Sequence, residues 1–321
     1  MTPEVSVVIP TYRRPDCLQR CLAALRQQDL ELDRFEVLIA DDAAEDSTRR
    51  LVETHSAQGG AQLRYIPILG THGPAAARNA GWRAARADIV AFTDDDCIPD
   101  PRWLRAGLAE IQRGADAVAG KVVMPLSERP TDYERDAAGL ATSEFVTANC
   151  FCRRSALALV GGFDERFTAA WREDSDLQFS LLERGRRIGR AGDAVVVHPV
   201  REARWGVSLA QQRKSQFNAL LYKKHPALYR QRLPPFPRDY YLIDAALAVA
   251  AAAAIVRGTT AAMLAAGAWG ILTGWLCLKR MRHNSRSPRH VAEMLLTSIL
   301  IPPLSLYWHF RGMWRFRAFF A

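Results

Sequence analysis

The sequence predicts an α/β fold: a mostly parallel central sheet in residues 1–200, a basic, Pro-containing connector over 201–238, and a membrane-anchoring region over 239–321 built on a transmembrane helical hairpin. Three observations predict it. In the first part of the chain, apolar runs of strand length alternate with amphipathic stretches, the pattern of βα units. Several of those runs end directly in polar or acidic residues. Charge is segregated as well: residues 1–198 carry 25 Lys/Arg and 30 Asp/Glu, whereas residues 199–321 carry 18 and 4.

Taken in order, Val5, Ser6, Val7, Val8 and Ile9 form a buried strand ended by Pro10. Residues 15–27 have helical periodicity, with Leu18, Cys21, Leu22 and Leu25 on one face. Residues 35–40 are a second strand, and a helix starts near Asp46 and Ser47, good N-cap residues. A short third strand covers 63–66, an Ala-rich helix 74–86 and a fourth strand 88–93. Ligands in open α/β sheets bind at the carboxyl ends of the strands. That rule gathers Thr11, Asp41, Asp42, Asp94, Asp95 and Asp96 along one edge. A further apolar strand over 194–197 ends at His198.

The net charge of +9 resides in the C-terminal part, beside apolar segments, which points to an anionic membrane surface rather than to nucleic acid. No nucleic-acid-binding motif accompanies it. The cysteines at 17, 21, 97, 150, 152 and 277 lack paired C-x-x-C spacing, and no N-terminal signal peptide is evident. Reduced thiols and a cytoplasmic catalytic domain are expected. Three apolar segments follow the connector, at 242–256, 259–278 and 291–310. A span needs about 20 residues, so the second qualifies directly and the first needs Tyr240 and Tyr241 as interfacial anchors. Buried core helices are the alternative. Arg257 alone separates the first two, whereas Lys279, Arg280, Arg282, Arg286 and Arg289 follow the second. The positive-inside rule then gives a hairpin with both ends in the cytoplasm of a bacterial-type inner membrane. The third segment, interrupted by Pro302 and Pro303 and followed by Arg and aromatic residues, fits an interfacial or re-entrant element.

The strongest local signal is Asp94, Asp95 and Asp96 at a strand end. Three consecutive carboxylates repel one another unless a cation relieves them. Mg²⁺ or Mn²⁺ would do so and would also bridge a diphosphate. Read alone, the triplet is better explained as a solvated acidic loop. Company changes that: the runs 5–12, 37–42, 73–81 and 92–99 occur in order and at sensible spacing, and Trp171, Arg172, Glu173 and Asp174 follow. With these motifs the sequence resembles the family 2 glycosyltransferases, inverting enzymes of the Rossmann-like GT-A fold, over about residues 4–200.

The resemblance implies a role for each matched residue. Pro10, Thr11 and Tyr12 border the nucleotide base, and Asp42 accepts a hydrogen bond from it, which suits UDP or dTDP. Arg78 lies near the base or the phosphates. Asp94 and Asp95 belong to the donor site, and Asp96, with Asp94, ligates the metal. His198 completes that shell or is a satisfied loop histidine. Ala43 and Ala44 stand where the family usually has Gly-Ser or a similar pair, so a hydroxyl contact from that loop is missing. Inverting transfer needs a carboxylate to deprotonate the acceptor hydroxyl. Asp174 is expected in that role, with an N-cap as its plainer alternative, and Glu173 either orients the acceptor or positions Asp174. Trp171 and Gly162 fall on the acceptor side.

Arg201 and Arg204 either neutralise the departing diphosphate or belong to the membrane-facing basic surface. Processive relatives carry Gln-x-x-Arg-Trp, but Arg201 stands at the glutamine position before Arg204 and Trp205, so transfer of a single sugar to a lipid-linked or glycan acceptor is expected. Two other functions fit parts of the pattern. A sugar nucleotidyltransferase also uses metal-binding carboxylates, but the turn after the first strand lacks its glycines. A catalytically silent membrane scaffold of the same fold would tolerate loss of the aspartates, all of which are present.

Overall fold

The computed structural model describes residues 2–320, which divide into two compact units: residues 2–125 with 139–200, and residues 126–138 with 201–320. The first unit is α/β. It runs β1 (Val5–Thr11), α1 (Pro15–Leu25), β2 (Phe35–Asp41), α2 (Asp46–Ala57), β3 (Gln62–Pro67), α3 (Pro74–Ala84), β4 (Ile89–Thr93), β5 (Ile98–Pro99), α4 (Trp103–Gln112) and β6 (Ala117–Val123). The chain forms α5 (Asp132–Ala138) in the second unit. It then completes the first with β7 (Asn149–Arg153), α6 (Arg154–Val160), α7 (Glu173–Glu183) and β8 (Ile188–Val197).

Among the described residues the sheet has eight strands, ordered β3-β2-β1-β4-β7-β6-β8-β5. β1 pairs in parallel with both β2 and β4, as the alternation of strands and helices predicts. β7 is antiparallel to β4 and β6, and the short β5 is antiparallel to β8. Their contribution is not apparent in the sequence, because Asn149, Cys150, Phe151 and Cys152 carry no period that separates strand from loop. Every residue of β2 and nearly every residue of β1 is buried, so both faces of the sheet are covered. Val7, Ile9, Val37 and Ile39 pack on one face, and Val8, Leu38, Val90 and Phe92 on the other. This is the alternation a pleated strand imposes.

Two close approaches fix the helices over the site. A Cβ on Gly81 would lie 2.3 Å from Val8 Cγ1, so α3 sits directly on β1. Gly162 follows α6 with φ +77, and a Cβ there would lie 2.5 Å from Asn79 Oδ1. Asn79 in turn donates to the Phe163 carbonyl at 2.8 Å and accepts from the Phe163 amide at 2.9 Å. These contacts tie the loop after α6 to α3.

The second unit is helical. Its connector folds into α8 (Val207–Gln211), α9 (Phe217–Lys224) and α10 (Pro226–Arg232). They precede α11 (Arg238–Ile255), α12 (Thr259–Met281) and α13 (Pro288–Phe316). Among the described residues, α12 and α13 are long and apolar enough to cross a membrane, by length and composition. α11 is an 18-residue helix that includes Arg238, Asp239 and Asp244. The expected break at Pro302 and Pro303 is absent, and α13 is continuous through both. Each proline removes one amide donor, to the carbonyls of Ser298 and Ile299. The helix survives because Ile301, Pro302, Ser305 and Leu306 are buried, so packing holds what the backbone bonds do not. Arg280 donates to Thr297 Oγ1 and Ser298 Oγ on this helix and to Asp132 Oδ2 at 2.6 Å, which also fastens α5 into the unit.

Candidate active site

The carboxyl ends of β1, β2, β4 and β8 supply the acidic residues and their partners. Parallel pairing puts Thr11 opposite Asp41. Asp94, Asp95 and Asp96 follow the last residue of β4. Thr11 Oγ1 donates to Asp95 Oδ2 at 2.8 Å. Pro10 remains inside β1, paired with Ala40, and Tyr12 lies beyond the strand, 51% exposed.

The two acids at the end of β2 divide their work. Asp41 is buried and builds the turn: its carboxylate accepts from the amides of Ala43 and Glu45 at 3.0 and 2.9 Å and from the Tyr65 hydroxyl at 3.0 Å. This turn holds Ala44 at φ +51 without a neighbouring hydroxyl. Asp42 faces outward from it, and its carboxylate oxygens accept from the Gly73 amide at 3.1 and 3.0 Å. His72 Nδ1 lies 3.1 Å from the same group.

Asp94, Asp96 and His198 converge. His198 Nε2 is 3.6 Å from Asp96 Oδ1 and 3.9 Å from Asp94 Oδ2. β5 brings this about, since Ile98 pairs with Val197 and so draws the end of β8 to the acidic loop. Two ligands on one hard cation lie within about 4.2 Å of each other, twice a bond length of about 2.1 Å, so these oxygens and the imidazole suit such an ion. Cys97 Sγ, Asp96 and His198 also offer donor atoms within 4.8 Å of one another. Burial first, then Asp94 and Asp96, push the Cys97 thiol well up, so it stays protonated at neutral pH. A soft, neutral thiol is a poor ligand for Mg²⁺ or Mn²⁺, and the carboxylates and His198 are the better set.

Burial, opposed by Arg14 and reinforced by Asp96, raises the Asp95 carboxyl to about 6. Arg14, not singled out for the site from sequence, spans the acidic loop: Nη1 is 2.6 Å from Asp95 Oδ1 and Nη2 is 2.7 Å from Asp96 Oδ2. The available signal was physical: three adjacent carboxylates need nearby cations, and Arg13 and Arg14 follow the neighbouring strand.

Arg78 joins the two halves of the site. It is buried on α3, and its Nη2 donates to Asp94 Oδ1 at 2.8 Å while Nη1 donates to Glu173 Oε1 at 3.2 Å. Desolvation lowers its pKa, but Asp94 and Glu173 more than offset this and raise it. Glu173 is buried, with Oε2 left without a hydrogen bond. Its carboxyl is raised to about 7 by burial and by the charge of Asp174, against the pull of Arg78. α7 begins at Glu173, two residues earlier than the sequence implied, so Asp174 lies in the first turn rather than at an N-cap. The capping position is Arg172, with φ +76. Asp174 Oδ1 accepts from the Ser175 amide at 2.7 Å, and burial raises its pKa. Trp171 is partly exposed beneath the Arg172 guanidinium, which lies 4.7 Å from its ring centroid. Gly162 is packed against Asn79 and Trp82, so a packing demand accounts for this glycine.

The profile described as glycosyl transferase family 2 matches residues 6–163. The succinoglycan biosynthesis protein ExoM of Rhizobium meliloti is 32% identical over 236 residues, 68% of this chain and 73% of that protein. Glycosyltransferase AglE of Haloferax volcanii is 28% identical over 211 residues, 62% of this chain and 68% of that protein. Two other curated relatives are longer, and the match spans 62% and 58% of their lengths. The solved mannosyltransferase PcManGT of Pyrobaculum calidifontis, in complex with GDP-Man and Mn²⁺, superposes with a TM-score of 0.58 at 19% identity, covering 98% of this chain and 88% of that one. At that identity the likeness establishes the fold.

Proposed function

Because the chain belongs to glycosyltransferase family 2, we propose that it is an inverting enzyme moving one sugar from a UDP- or dTDP-sugar to a lipid-linked or cell-envelope glycan acceptor at the cytoplasmic face of a membrane. A nucleotidyltransferase of the same general architecture does not share this family. In this reading residues 1–200 are the catalytic domain, 201–238 the basic connector and 239–321 the anchor.

One observation carries the assignment: a single buried guanidinium, Arg78, ties Asp94 on the donor side to Glu173, the neighbour of Asp174. Inverting transfer needs donor and base in fixed register, because the acceptor oxygen attacks from the face opposite the leaving group. Asp174 takes the proton of the acceptor hydroxyl as its oxygen bonds to the anomeric carbon. The bond from that carbon to the diphosphate oxygen breaks, and the diphosphate leaves with the electron pair. Thr11, Tyr12 and Pro10 border the base, and Asp42 accepts a hydrogen bond from its imide N–H. Asp95 binds the ribose side, and Trp171 and Gly162 lie toward the acceptor. Asp94, Asp96 and His198 would hold Mn²⁺ or Mg²⁺, whose charge stabilises the departing diphosphate. The GDP-Man and Mn²⁺ of the mannosyltransferase neighbour support a nucleotide sugar and a divalent cation as the ligand pair. Exposed apolar side chains on α12, among them Leu264 and Ile271, support the anchor.

A thermal-shift screen of nucleotide sugars with and without Mn²⁺, followed by transfer assays, tests this function, since binding stabilises the folded state by mass action. Asp96→Ala should lose the Mn²⁺-dependent shift. Asp174→Asn should keep it and lose roughly 10²–10⁴-fold in rate, the range for a missing general base. Full transferase activity in both variants would refute the mechanism.

A further inference from the structure

The acidic loop has a resident counter-cation that the proposed transfer step does not use. Arg14 forks across two neighbouring carboxylates, with Asp95 at 2.6 Å and Asp96 at 2.7 Å. Those side chains are 4% and 5% exposed, and that of Arg14 is 27% exposed. The backbone holds this arrangement from both sides. β1 ends at Thr11, Arg13 turns with φ +55, and Pro15 opens α1 immediately after Arg14.

Asp94 shares the Arg78 guanidinium with Glu173. A divalent ion held by Asp94, Asp96 and His198 would share Asp96 with the Arg14 guanidinium, whose positive charge stands against that of the ion. Excess charge in a desolvated cluster is costly unless a counter-ion joins it. A nucleoside diphosphate supplies that negative charge at the same place.

Resting on the reading of Asp94, Asp96 and His198 as cation ligands, we propose that Arg14 is a positioning residue that makes cation binding conditional on the donor. It holds Asp95 and Asp96 in place before the ligands arrive. It also sets the local charge so that the divalent ion binds tightly only together with the nucleotide diphosphate. Because linkage is reciprocal, the cation tightens the nucleotide by the same factor.

Mn²⁺ binding by the full chain in detergent, followed by the electron paramagnetic resonance of free Mn²⁺, tests this without any assay of transfer. Each protein is titrated with Mn²⁺ alone and with Mn²⁺ plus UDP, dTDP or GDP. In the wild type, one of the nucleotides should tighten Mn²⁺ roughly ten-fold or more, within the usual range of coupling. Arg14→Gln should bind Mn²⁺ alone roughly ten-fold tighter than wild type, as removal of an adjacent positive charge implies, and its enhancement by nucleotide should shrink. Arg14→Lys, which presents a point charge instead of a fork, should fall between the two. A purely structural role for Arg14 would weaken Mn²⁺ binding with and without nucleotide. The proposal is overturned if Arg14→Gln binds bare Mn²⁺ no more tightly than the wild type. Should the glutamine variant fail to fold, Arg14→Met, which also removes the charge, takes its place, and bare Mn²⁺ binding no tighter than wild type overturns the proposal equally. A wild type that binds no Mn²⁺ with any of the nucleotides would bring down the cation reading, and this proposal with it.

Discussion

Glu173 and Asp174 are adjacent carboxylates whose protons belong to the pair, and their titration gives the proposed base a pH signature. Burial and the charge of Asp174 raise Glu173 to about 7, and burial raises Asp174 as well. A general base must be ionised to act, so a raised pKa removes activity on the acid side. Transfer should therefore fall away toward acid at a higher pH than an ordinary carboxylate would set, and level off on the alkaline side. Glu173→Gln deletes the like charge beside Asp174, so the acid limb of the kcat profile should move to lower pH. A limb that stays in place would show that another group sets it. The identities of these residues were legible in the sequence because acids at strand ends, in a fixed order, form a pattern. Arg14 and Cys97 were not, since their positions depend on where a turn and a two-residue strand place them. Asp41 was grouped with the site on the same strand-end rule, yet its carboxylate is consumed by the turn that aims Asp42 outward.

At the scale of elements, the parallel core was readable because strands buried on both faces need unbroken apolar runs, and β1, β2 and β4 have them. α1 buries the face its periodicity predicts, Leu18, Cys21, Leu22 and Leu25. The antiparallel β7 and the short β5 escaped notice, because their pairing is decided by tertiary contacts rather than by local pattern. The double glycine after α6 shows the same limit. Gly161 and Gly162 both have positive φ, and sequence alone does not distinguish them. Gly161 has open space where a Cβ would go, whereas a Cβ on Gly162 would meet Asn79 Oδ1 at 2.5 Å and Trp82 Nε1 at 2.6 Å. Gly161→Ala should then cost only the backbone strain, about 1 kcal/mol. Gly162→Ala should add roughly 1–3 kcal/mol of overpacking and disturb the Asn79 bonds to Phe163. Thermal melts of the two variants under the same conditions measure the difference, and equal losses would remove the special role of the α6–α3 contact.

For the whole molecule, the segregation of charge would set the orientation of the proposed anchor. Arg257 is the only charge between α11 and α12, while Arg282 and Arg286 lie between α12 and α13 and Arg289 stands at the start of α13. If α11 and α12 form the crossing pair, the arginine-rich turn stays on the cytoplasmic side, in keeping with the positive-inside rule. If α12 and α13, the helices that meet the length and composition requirement, cross instead, that turn would be on the far side. The energy at stake favours the first arrangement, because each basic residue near an anionic leaflet contributes about 1 kcal/mol. α13 is also suited to lie at the interface: its buried stripe of Met294, Thr297, Ser298, Ile301 and Ser305 recurs at helical spacing, while Leu295, Leu296, Ile299 and Leu300 are exposed. An introduced cysteine decides between the two. With α11 and α12 as the pair, Gly258→Cys should react with a membrane-impermeant maleimide added to intact cells, and Ser285→Cys should react only after the membrane is opened. The reverse labelling would make α12 and α13 the crossing pair, with the arginine-rich turn outside. Protection of both positions in a protein that remains soluble without detergent would mean that these helices never enter a bilayer.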